Sequence, residues 1–105
     1  MSLPEIIRAV EASLRDIARR HCPGAGVFSF GAVEINPRHL AIWISTPTDA
    51  ERNRLRASAA LIAECRAVLL SAGYPPEAVP LVAFAFESQE TVDRVHGGNW
   101  WYAVK

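Results

Sequence analysis

Glu87, Glu90, Asp93 and His96 fall within one ten-residue stretch, and the last three are spaced by three. A helix carrying that spacing sets all three along one side. Carboxylates beside an imidazole can pass protons or ligate a metal. Glu87, Asp93 and His96 are therefore the candidate polar groups of a small-molecule pocket or an enzyme, built between a sheet and a short helix. The same spacing also describes a solvated helix face, and no second histidine stands one turn away. No catalytic residue, metal ligand or cofactor is assigned from it.

Two further groups have reactive chemistry. His21 and Cys22 are adjacent, and Cys65 could approach them if two helices pack side by side; a cysteine–histidine pair is a potential nucleophile. Neighbours on a helix point about 100° apart, however, and the "CPGAG" that follows is explained by helix termination. Two cysteines make neither a disulfide framework nor a zinc pattern, so two buried thiols are expected. Arg52, Arg54 and Arg56, with Arg19, Arg20 and Arg38, could gather into a phosphate or acidic-partner site. The plainer expectation is a solvated surface paired with nearby acids.

The elements that position these groups follow from periodicity. Residues 2–21 read as an amphipathic helix, with Leu3, Ile6, Ile7, Val10, Leu14 and Ile17 at helical spacing and Ser2 and Glu5 as a capping box. Residues 26–35 and 39–46 read as strands joined by "NPRH", the first carrying a bulge near Gly31. A second long helix, capped by Thr48, is expected to run to about Ala72 and stop at Gly73. "LVAFAFE" reads as a third strand, "SQETVDRVHGG" as a short helix capped by Ser88, and "NWWYAVK" as a last strand.

The expectation is a single α+β domain over residues 1–105. Its order is αββαβ(α)β: a four-stranded, mainly antiparallel sheet with two long helices packed on one face. Alternation then places Leu40, Ile42, Ile44, Val82, Phe84, Phe86, Trp100 and Tyr102 toward those helices. The opposite face carries Trp43 and Trp101 standing on a floor of Ala41, Ala83, Ala85 and Ala103.

Composition narrows the function. The net charge is zero; eight arginines against six acids give residues 1–56 a charge of +2, and three bases against five acids give the rest −2. That is too mild for a nucleic-acid footprint, although bases could stack on Trp43 and Trp101 beside the arginines. No run is long and apolar enough to span a membrane and no leader is recognisable, which reads as cytoplasmic. The leading expectation is a small binding module rather than an enzyme. It would form a homodimer or hold a protein partner, as an adaptor or inhibitor does, through the outer sheet face with Trp43 and Trp101 as anchors.

Overall fold

The computed structural model describes residues 2–104. α1 (Leu3–His21) begins where the sequence places its cap: the Ser2 hydroxyl accepts from the Glu5 N–H at 3.4 Å and donates to the Glu5 carboxylate at 3.0 Å. Ile6, Val10, Leu14 and Ile17 form its buried stripe. β1 (Gly26–Phe30) and β2 (Ala41–Thr46) pair antiparallel, and β3 (Ala83–Ser88) pairs parallel to β2 on its other side. Between β2 and β3 lie α2 (Asp49–Arg56) and α3 (Ala59–Ser71); α4 (Gln89–His96) and α5 (Trp100–Val104) follow β3.

The fold is α+β, but the expected sheet is corrected: among the described residues it has three strands of mixed direction, ordered β1-β2-β3, with five α-helices. The parallel pair arises because α2 and α3 return the chain to the end of the sheet from which β2 started. The fourth strand is instead a helical turn. Gly97 and Gly98 (φ 60° and 81°) end α4 in left-handed backbone, and the Asn99 side chain then accepts from the Tyr102 N–H at 3.4 Å, starting α5. The ring-rich sequence favours a strand by propensity, yet the local cap and the packing of Trp100 decide otherwise.

The second long helix is also corrected. It breaks at Ala57–Ser58, where the Ser58 hydroxyl accepts from the Leu61 N–H at 3.2 Å and opens α3. Leu55 of α2 and Leu61, Cys65 and Leu69 of α3 are all buried. At about 100° per residue an unbroken helix would set Leu61 about 120° around the axis from Leu55. The break lets both face the core.

β1 stops at Phe30 instead of bulging and continuing to residue 35. Gly31 sits at φ 141°, where a Cβ would lie 2.1 Å from the His39 carbonyl oxygen. Only glycine fits there, and the chain leaves the sheet. The inner sheet face carries Val27 opposite Ile44, with Phe86 beside it, and Ile42 beside Phe84; all but the half-buried Phe84 are buried beneath the helices. α1 packs on β1 and α3, and α2 packs on β3. Among the described residues, no helix is long and apolar enough to cross a membrane.

Candidate functional site

The other face of the sheet is aromatic. Its register aligns Phe28, Trp43 and Ala85 in one row and Phe30, Ala41 and Ala83 in the next. The Phe28 and Trp43 rings are parallel within 2°, with centroids 6.2 Å apart, and Phe30 lies 6.4 Å from Trp43. The alanines leave β3 flat beside these rings. Cross-strand ring pairs of this kind add to sheet stability on a scale of about 0.2–1 kcal/mol each.

α5 lies over one end of this layer. Trp100 meets Phe28 edge-on at 5.9 Å, and its indole N–H donates to the Gln89 side-chain oxygen at 2.8 Å, tying α5 to the first residue of α4. Trp101, the next residue, points elsewhere and is 69% exposed; Phe30 is 45% exposed. Between them runs a groove of about 470 Å³ lined by Phe28, Phe30, Trp100, Trp101 and Val104. It is almost wholly apolar, and large enough for one or two side chains of another protein.

The expected floor is partly as read. Ala41, Trp43, Ala83 and Ala85 share the outer face by register. Trp101 and Ala103 do not stand on a strand; they belong to α5. Trp100, expected in the core, packs on the outer layer instead, against Phe28. Phe28 and Phe30 were missed as members of this surface. Their signal was parity: a turn at residues 36–39 without a bulge pairs even positions of β1 with odd positions of β2, on the face of Trp43. The bulge expected near Gly31 would instead have put them on the side of Val33 and Ile35.

The polar candidates separate. Glu87 accepts from Arg52 at 2.8 Å and from the Ser88 N–H at 2.9 Å. Glu90 reaches the N-terminus of α2, accepting from the Asp49 N–H at 2.8 Å. Asp93 accepts from Gln89 at 2.7 Å on the exposed side of α4, and His96 closes that helix. Among the described residues, no three His, Cys, Asp or Glu side chains are grouped to hold a metal.

What the structure assembles instead is a junction around Asp49, at the start of α2, facing the start of α4. Its carboxylate accepts from the Ser88 hydroxyl, from the Thr91 hydroxyl at 2.6 Å and from Arg94 at 3.2 Å. The Ser88 and Thr91 hydroxyls, followed by Arg94, hold the Asp49 pKa down at about 2. Arg52 bridges this junction to Glu87, donating to Thr91 as well at 2.8 Å. These bonds fasten α2, β3 and α4 to one another, which is a structural use of the charges.

The thiols are equally committed. Cys22 is buried and donates to the Glu51 carboxylate at 3.0 Å; burial and that bond raise its pKa. Burial, with Glu64 adding to it, pushes the Cys65 thiol up to about 11. His21 turns to Glu64 at 3.6 Å. Neither cysteine is held as a thiolate, the form a nucleophile needs. The arginines do not gather into one patch: Arg19 donates to the Ala25 carbonyl at 3.1 Å, and Arg56 to the Phe86 carbonyl at 3.1 Å.

No family model matches the sequence, and no curated protein and no solved structure matches the chain.

Proposed function

We propose that this chain is a binding module that self-associates through the outer face of its sheet and α5. The observation that carries the reading is the pairing, within one patch, of a projecting ring and a groove that would accept one. Trp101 stands 69% exposed on the lip of the 470 Å³ apolar groove between α5 and β1. A two-fold contact requires a self-complementary patch, because the same residues face each other across the axis. Trp101 of one copy entering the groove of the other meets that requirement, with Phe28, Phe30 and Trp100 as the walls.

Two features support it. The outer rows from Phe28 to Ala85 and from Phe30 to Ala83 contain no charged side chain, so burial strands no ion. The chain's net charge is zero, so two copies are not driven apart.

Light scattering on a sizing column, run across protein concentrations, tests the reading. The expected result is a mass that rises to twice the monomer for the native sequence. Trp101→Ala should weaken association about thirtyfold or more, the scale of a central aromatic anchor, and Trp101→Glu should weaken it further. A monomer at every concentration would overturn the proposal. So would a dimer indifferent to both substitutions.

A further inference from the structure

The outer edge of β3 offers a second kind of surface. The Ala83 N–H donates to the Leu40 carbonyl at 3.1 Å, so Ala83, Ala85 and Glu87 turn their backbone groups toward β2. Val82, Phe84 and Phe86 turn theirs outward. Arg66 donates to the Val82 carbonyl at 3.4 Å and Arg56 to the Phe86 carbonyl at 3.1 Å. Between these two bonds the Phe84 N–H, the Phe84 carbonyl and the Phe86 N–H have no protein partner among the described residues. Alongside them runs a groove of about 620 Å³, bordered by Ile62, Arg56 and Arg66 on the helix side and by Ala83, Ala85 and Glu87 on the other, the Glu87 carboxylate being already paired with Arg52 at 2.8 Å.

We infer that this edge receives an extended acidic peptide as a fourth strand. Unpaired groups on a sheet edge are a template for an added strand, whose backbone supplies affinity and whose alternate side chains supply selectivity. Arg56 and Arg66 set that selectivity. Neither has a carboxylate within ion-pair distance among the described residues, and each uses only part of its five-donor fork on backbone carbonyls. They engage β3 at positions four residues apart, about 13 Å along a strand. Carboxylates at positions i and i+4 of the added strand point to one side and meet both guanidiniums. The Arg66 guanidinium also lies over the Phe84 ring, 5.0 Å from its centroid, so the side chain at i+2 packs beside that stack and against Ile62 and is apolar. The required pattern is acid-x-apolar-x-acid.

A second copy of this chain is a poorer occupant of this edge. It would bring its own Arg56 and Arg66 to the same seam, placing four guanidiniums together. The edge and the aromatic face are thus suited to different occupants, and the inference stands whether or not the outer face dimerises.

The test uses a labelled synthetic peptide containing Glu-Thr-Val-Thr-Glu flanked by serine and threonine, followed by anisotropy, together with amide exchange of the protein. Saturable binding is expected, weakened about tenfold or more when both glutamates become lysine. The expected loss is similar when a backbone N-methyl blocks the peptide's pairing groups opposite Phe84. Arg56→Gln should weaken the glutamate peptide while leaving thermal unfolding close to native. Exchange of the Phe84 and Phe86 amides should slow only with peptide present. Equal binding of the lysine peptide, or unchanged exchange at saturation, would overturn the inference. Protection of those amides that rises with protein concentration alone would also overturn it, by assigning the edge to a second copy.

Discussion

The two faces of the sheet are built from the same three strands and differ in everything else. β2, "AIWIST", alternates Ile42 and Ile44 into the core with Ala41, Trp43 and Ser45 onto the outer face. On the inner side the register joins Val27, Ile44 and Phe86, aliphatic and aromatic groups sealed beneath α1, α2 and α3. On the outer side the alternate rows join rings to alanines, and the five-residue α5 lies over one end of them. A side chain's role here follows from its parity more than from its type: Trp43 is a larger hydrophobe than Ile44, yet Ile44 is the one sealed in. Burial of one face is enough to hold a sheet of this kind, so the other need not be covered.

Substitutions of matched severity sharpen that contrast. The largest effect belongs to the inner face. Ile44 is wholly buried, and Ile44→Ala should cost about 2–5 kcal/mol in denaturant unfolding, through lost burial and the cavity left behind. Trp101→Ala removes a larger side chain from the outer face and should change monomer stability by no more than about 0.5 kcal/mol. Comparable losses from both would break the division of the two faces.

The junction that fastens α2 and α4 to the end of the sheet should show itself in acid. The Asp49 pKa falls from 3.8 to about 2 on folding, so its contribution is complete above 3.8 and disappears as the pH drops through about 2. Asp49→Asn should therefore flatten the pH dependence of unfolding across that window. An unaltered acid profile would mean that the Ser88 and Thr91 hydroxyls do not favour the ionised carboxylate as their geometry indicates.

Much of the inner side was legible in the sequence. The capping boxes at Ser2 and Thr48, the helical stripe from Ile6 to Ile17 and the alternation of β2 each carry a local signal, and the structure places them as read. The outer side was legible only in part, because its membership depends on relations between segments. Phe28 and Phe30 reach Trp43 through hairpin register, and one inferred bulge was enough to hide them. Trp101 is exposed as read, but Trp100 was assigned to the core and lies on the outer layer, and both sit on a helix where a strand was expected. Three consecutive rings favour a strand by propensity, whereas the double glycine and the Asn99 side chain start a helix. Nothing in the spacing of Asp49 marks it as a hub, since Ser88 and Thr91 lie 39 and 42 residues away.

All three tryptophans lie on the outer layer or on α5, so their emission reports on the outer face, where self-association is proposed, and is silent on the core. The most direct measurement is the emission spectrum followed by dilution from millimolar to nanomolar protein. A red shift on dilution that follows the fall in mass, with circular dichroism unchanged, is the predicted result. Emission constant across the whole range would contradict the account, because Trp101 would then be equally wet at every concentration.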